Sequence, residues 1–309
     1  MEPPTLLAVP NVSEGRDRAT SDAIGAAFAD EVADRVRVLD VHSDGDHHRS
    51  VFTVAAPQGE LADAVLRAAR VAVGRIDVVA RAGSADRAAA GQHPHVGAID
   101  VAPVVYLAQA DRGAACAEAL VLADRLGAEL EVPVFLYGEL SGQDSQSAMT
   151  RAQLRRGGVT GLAARMAGRD ERLAPDFGPP TMHPRAGATL VAARAPLVAF
   201  NLQLEPPSNV EDARRIATLI REHGAAGLPG VRAIGIELAG GVAQVSMNVE
   251  RPFDVSLAMV VEAVSAQARV ASAELVGLAP AAAFEGFPQD VPIPGFDPAR
   301  HLLENALGC

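Results

Sequence analysis

The 309-residue chain contains no lysine and no tryptophan, and only two cysteines, Cys116 and Cys309. With one cysteine in a predicted helix and the other at the terminus, neither a disulfide framework nor a cysteine metal site is expected, and the cytoplasm is the natural compartment. No stretch reaches the roughly 18 uninterrupted apolar residues needed to cross a bilayer. The N-terminus pairs no basic segment with an apolar one, so neither a leader nor a membrane partner is expected. Basic residues are outnumbered by acidic ones, 27 against 38, for a formal net charge of −11. Phosphate backbones require a basic face, so nucleic acid is disfavoured as a partner. An anionic small molecule is compatible with this charge where arginines gather in one cleft and the local field opposes the overall sign.

What is present fits an ordinary soluble globular protein, with 49% hydrophobic and 21% charged residues. At this length a single core tends to divide, so two domains are expected.

The chain is organised around Gly91 to Asp100, which reads Gly-Gln-His-Pro-His-Val-Gly-Ala-Ile-Asp. Pro94 disfavours helical backbone at His93 and so holds that imidazole on stiff, extended chain just before an apolar strand. Gly97 allows a close approach of backbone or ligand.

Before this stretch, Thr5 to Val12 is an apolar run, and Ser13 to Arg18 is a turn into a helical pattern that lasts to about Ala29. Val36 to Val41 and Ser50 to Ala55 read as strands, joined by the polar run His42 to Arg49 as a hairpin connection with a site at its rim. Apolar residues at 61, 65, 66, 69 and 73 give a helix over Glu60 to Gly74 with one buried face. After Gly97 come a strand, a helix near Ala114 to Leu126, and the strand Val132 to Tyr137.

The second half repeats the scheme: strand Pro196 to Leu204, helix Val210 to His223, and strands Val231 to Leu238 and Val242 to Val249 around Ala239-Gly240-Gly241. Helix Asp254 to Val270 and strand Ala271 to Gly277 follow. Both halves therefore give β-α-β-β-α-β, the split βαβ or ferredoxin-like order. The expected fold is α/β (α+β), two ferredoxin-like subdomains with mixed sheets, 1–196 and 197–309, with a cleft between them. Two motifs echo across the halves, Leu7 to Asn11 against Leu197 to Asn201 and His93 to Ala98 against His183 to Ala188.

Between the halves, Arg172 to Arg194 reads as a crossover. Its Pro- and Gly-rich core suits either a rigid connector or the lining of a pocket. His42, Asp44, Asp46, His47 and His48 carry good metal-ligand groups. On extended backbone His47 and His48 would point to opposite faces, so no metal is expected there.

Seven blocks, taken in order, resemble the glutamate formiminotransferase family. They are Val9-Pro10-Asn11-Val12-Ser13-Glu14-Gly15-Arg16, His93 to Asp100, Val132 to Glu139, Ala174 to Pro179, Ala199 to Asn201, Ala243 to Asn248 and Leu275 to Leu278. Nothing resembles the helical cyclodeaminase of the bifunctional members. The resemblance implies transfer of a formimino group from N-formimino-L-glutamate to N5 of tetrahydrofolate as co-substrate, in histidine breakdown, by a homodimer whose subdomains form a charged tunnel. It implies that His93 is the general base. It also implies that Gly178-Pro179-Pro180-Thr181-Met182-His183-Pro184-Arg185-Ala186-Gly187 contributes to the folate site.

The chemistry fits such residues. An attacking amine must lose a proton as the tetrahedral centre forms, and an imidazole titrates near working pH. Both substrates carry carboxylates, which arginine clamps bidentately, so Arg49 and Arg185 are the candidates, with Asn11 orienting a polar group. The chain departs from the usual family pattern. Gln92-His93-Pro94-His95 replaces Glu-His-Pro-Arg, and His48-Arg49 replaces Asn-Arg. Two other readings stay open at this point: a folate-binding paralogue without turnover, and an enzyme processing 5-formyltetrahydrofolate or another substituted folate.

Overall fold

The apolar run at the N-terminus is broken by Pro10, which has no N–H to give a ladder. In the computed structural model of the protein it forms two short strands in line, β1 (Thr5–Ala8) and β2 (Asn11–Val12), which share the same two neighbours. Residues 3–29, 35–84, 94–141, 149–168 and 173–308 are described. The chain divides into two compact units, Met1–Ala195 and Pro196–Cys309.

In the first unit α1 (Arg18–Phe28), β3 (Arg37–Asp44), β4 (Arg49–Pro57), α2 (Leu61–Arg75), the short α3 (Val78–Ala82) and β5 (Ile99–Val105) complete a βαββαβ set. The strands lie in the order β3, β4, β1 with β2, β5, all antiparallel. The hairpin connection is shorter than the sequence suggests. His42 to Asp44 belong to β3 and Arg49 opens β4, so only Gly45–His48 turn the chain. Asp44 makes this possible by accepting the N–H groups of Asp46 and His47 at 2.8 and 3.1 Å, an Asx turn that substitutes for ladder bonds.

The sheet is then extended by α4 (Arg112–Leu130), β6 (Val134–Gly138), α5 (Arg151–Leu154), α6 (Gly158–Ala167) and β7 (Thr189–Arg194). Strand β7 corrects the expectation of an irregular crossover to Arg194. It lies between β5 and β6, parallel to both. Its residues through Ala193 are buried, as a parallel strand covered on both faces requires. One face of this sheet packs Phe52 and Val104 against Phe28, Leu66 and Leu122 from α1, α2 and α4. The other packs Val101, Phe135 and Leu190 against Leu154 and Leu162 from α5 and α6.

The second unit is β8 (Val198–Leu204), α7 (Val210–Ile220), β9 (Val231–Glu237), β10 (Ala243–Val249), α8 (Leu257–Ser265) and β11 (Val270–Val276). Its strand order is β11, β8, β10, β9, again antiparallel throughout. Core-facing Phe200, Leu202, Val245 and Met247 meet Ile216 of α7 and Val260 of α8. No element after Gly277 is expected from the sequence. There Phe284, Phe287 and Phe296 pack edge to face or tilted against one another, and Phe287 meets Phe200, ahead of the short α9 (Pro298–His301) and α10 (Leu303–Leu307).

Candidate functional site

Where β2 ends, the chain turns out of the sheet toward α1, and this turn is pinned from three sides. Ser13 donates its hydroxyl to Gly97 O at 2.7 Å and its N–H to Ala98 O at 2.9 Å, joining the turn to the His-Pro block. Glu14 is buried; its Oε1 accepts the N–H groups of Arg16 and Asp17 at 3.0 and 2.9 Å, and its Oε2 takes the Arg81 guanidinium of α3. Burial alone would raise its pKa, but those N–H donors and Arg81 outweigh it and hold the carboxyl below its ordinary value. Gly15 presses on the β3–β4 turn so closely that a Cβ there would stand 2.2 Å from Asp44 O and 2.6 Å from Arg49 N.

The opposing hairpin turn carries His47, His48 and Arg49. His47 pairs through Nδ1 with Asp44, whose carboxyl is held well below its usual value despite burial. His48 sits at φ +51, in the left-handed region. This departs from the extended backbone expected for the His47-His48 pair. Alternation to opposite faces is thereby broken, and three consecutive residues can line one cavity. Burial pushes the His48 imidazole down to about 4; Glu14 opposes this, while Arg81, Arg16 and His95 reinforce it. Its ring is neutral at physiological pH.

The third wall is the His-Pro block. Val96 N–H donates to Asp100 Oδ1 at 2.8 Å, and Asp100 Oδ2 takes the buried Arg155 at the end of α5. The result is a small cavity, open to solvent, lined by Asn11, Val12, Ser13, His47, His48, Arg49, His95 and Asp100.

Two expected site residues, Asn11 and Arg49, therefore meet in one cavity. His93 lies outside the described residues, but His95, two positions on, is part of the wall. None of the ten residues from Gly178 to Gly187 lines this cavity. That segment docks at two places. Gly178 packs on Gly127 of α4 and on Val132, while Phe177 O accepts from Val134 N at 2.9 Å at the start of β6. Pro179, Pro180 and Thr181 follow as half-buried or exposed chain, and Met182 packs against the core.

His183, Pro184, Arg185, Ala186 and Gly187 form a closed turn, in which His183 and Gly187 exchange backbone bonds at 3.0 and 3.1 Å. The His183 Nδ1 accepts the N–H groups of Arg185 and Ala186. Arg185 is exposed and pairs with Asp77 at 3.2 Å. This turn lies directly against the His-Pro block: Ala98 N donates to Ala186 O at 2.8 Å and Ala188 N to Val96 O at 2.9 Å. The two echoing motifs are thus packed on each other, and Gly97 and Gly187 are where their backbones meet, since a Cβ at Gly97 would lie 1.8 Å from Ala188 O.

Sequence reasoning assigned no role to Ser13, Glu14, Asp100 or Arg155. All but Arg155 sit inside the quoted motifs, which was the available signal. Among the described residues no group of three or more His, Cys, Asp or Glu side chains is arranged to hold a metal ion. No described helix is long and apolar enough to cross a membrane.

The chain matches known proteins along most of its length. Residues 5–194 match the model of the formiminotransferase domain, N-terminal subdomain, and residues 199–286 that of the formiminotransferase domain. A glutamate formimidoyltransferase of Streptococcus pyogenes is 33% identical over 306 residues, covering 97% of each chain. One from Thermoplasma acidophilum is 35% identical over 241 residues, 78% of this chain and 75% of that one. A formimidoyltransferase-cyclodeaminase of Sus scrofa is 36% identical over 286 residues, and the match spans about half of that longer protein. On this coverage the chain belongs to the formiminotransferase family and is a transferase enzyme.

Proposed function

We propose that the protein transfers the formimino group of N-formimino-L-glutamate to N5 of tetrahydrofolate. In this reading N5 attacks the amidine carbon and its proton passes to His93 as the tetrahedral centre forms. The bond from that carbon to the glutamate nitrogen then breaks as this nitrogen takes a proton, leaving glutamate and 5-formiminotetrahydrofolate. General base catalysis of this kind is worth roughly 10²–10⁴ in rate. Holding two substrates in line contributes an effective molarity on the order of 10⁵ M or more.

The observation that carries this reading is the end-to-end match, over 97% of both chains, to a protein named for this transfer. The cavity chemistry supports it. Arg49 supplies a cation for a carboxylate, Asn11 an amide, and His95 lines the wall two residues from the proposed base. Two residues of chain reach at most about 7 Å. The turn His183 to Gly187, bonded to the same block, is proposed to contribute to the folate site with the rest of Gly178 to Gly187. The family reading also makes the protein a cytoplasmic homodimer; sedimentation velocity tests the assembly.

The deciding experiment mixes both substrates and follows glutamate. Release is expected to require tetrahydrofolate and to fall by at least about 100-fold in His93→Ala. Turnover of a substituted folate without formiminoglutamate would instead establish an enzyme of altered substrate, and folate binding with no turnover a binding paralogue.

A further inference from the structure

His48 combines four features that no structural role requires together. It is one of two non-glycine residues with positive φ among those described, the other being Glu131 at the end of α4. A left-handed backbone at a non-glycine residue costs on the order of 1 kcal/mol and concentrates at functional sites. Its Nδ1 accepts the Gly15 N–H at 3.1 Å. The nearest carboxylate oxygen, Glu14 Oε1 at 3.4 Å from that nitrogen, is already engaged by the Arg16 and Asp17 N–H groups. A neutral imidazole has one N–H, so with Nδ1 as acceptor the proton belongs to Nε2. Nε2 takes no protein partner among the described residues, and the ring lines the cavity beside Arg49 and Asn11.

We infer that His48 is a specificity-determining residue, whose Nε2–H donates a hydrogen bond to a carboxylate oxygen of the formimino donor while Arg49 supplies the charge. This inference rests on the function proposed above. The arrangement is selective in a way that a second arginine is not. A neutral donor on a fixed ring adds one directed bond without a second full charge, and it cannot pivot, because Gly15 and the left-handed turn hold the ring. Asn11 completes the fit: its Nδ2 donates to Val9 O at 3.2 Å, which leaves its carbonyl oxygen to accept an N–H next to the bound carboxylate.

The test uses the full-length protein, with imidazole ¹⁵N resonances read by NMR and steady-state kinetics alongside. His48 is expected to show a protonated Nε2 and a bare Nδ1 throughout pH 6–8, and its Nε2 resonance is expected to move on saturation with formiminoglutamate. In kinetics, His48→Ala should raise KM for formiminoglutamate about 10-fold or more, as loss of a hydrogen bond to a charged group does, and leave KM for tetrahydrofolate within about twofold. His48→Gln, whose amide nitrogen can take the place of Nε2–H, should recover most of the loss. Should the alanine variant fail to fold, the wild-type resonance titration decides alone. Binding of formiminoglutamate by calorimetry with the His48 resonance unmoved, or a protonated Nδ1, overturns this inference and leaves the proposed reaction standing. Absence of any formiminoglutamate binding overturns both.

Discussion

Each unit closes its βαββαβ set with a hairpin between the second and third strands, yet the two turns solve the same geometric problem differently. In the second unit the turn from β9 to β10 is Leu238 to Val242, where Gly240 and Gly241 hold φ of +83 and +80 and a Cβ on either would meet nothing within 4 Å. Glycine takes the left-handed region without steric cost, and the turn stands free in solvent. In the first unit the equivalent turn takes its positive φ at His48, packs on Gly15, and is tied further by Arg16 Nε to Gly45 O at 2.9 Å. A strained residue held by its surroundings where glycine would have sufficed marks the turn that has something other than chain reversal to do.

The contrast is broken or sharpened most strongly at the glycines. Gly15→Ala puts a methyl into backbone on both sides of the first turn. It should cost about 3 kcal/mol or more, seen as a Tm fall on the order of 10 °C for a domain of this size. Gly240→Ala meets only left-handed strain and should cost about 1 kcal/mol. Equal losses would mean that the first turn is no more constrained than the second.

The loops that lead into the first helices differ in the same sense. In the first unit a buried carboxylate, Glu14, gathers two N–H groups and Arg81, whereas in the second Asn209 caps α7 at the surface, accepting from Glu211 and Asp212 N–H. Removing one partner of a buried charged pair leaves the other uncompensated, so Glu14→Ala should cost about 3 kcal/mol. Asn209→Ala should cost about 1 kcal/mol. Urea midpoints measured side by side rank them, and the reverse order would place the rigid loop in the wrong unit.

What the sequence disclosed follows the same division. The second unit was legible because its strands are antiparallel, its turn is Gly-Gly, and each strand and helix carries its own local pattern. Strand β7 was missed because Thr189–Arg194 follows a Pro- and Gly-rich segment and pairs in parallel with strands some 50 to 90 residues earlier, which no local pattern announces. Helix α6 was missed because two glycines, Gly157 and Gly158, stand at its start where a capping side chain would have flagged it.

At the site, Asn11 and Arg49 could be chosen by chemistry, since amides and guanidinia are what carboxylates require. The tethering of Arg185 to Asp77, 108 residues away, could not be read, nor could the left-handed backbone of His48, because both are set by tertiary packing.

A pH dependence is also expected, and much of it arises in the first turn. The folded-state pKa of His48 is lowered from 6.5 to about 4, chiefly by burial. Between those values the unfolded chain binds a proton that the folded chain does not, so stability rises with pH across that window and falls as pH drops from about 6.5 toward 4. Glu14 is lowered from 4.5, so its own contribution is present above that value and is lost only as pH falls below it. The two groups therefore act in sequence, and the first part of the acid limb is shared by His48 and His183, whose pKa burial also lowers from 6.5. In His48→Gln, urea midpoints taken from pH 7 to 4.5 should decline less steeply than in the parent protein, with the limb below pH 4.5 retained. Parallel curves would mean that the imidazole ring gains its proton as readily in the folded turn as in the unfolded chain, and that the contact with Gly15 does not hold it neutral.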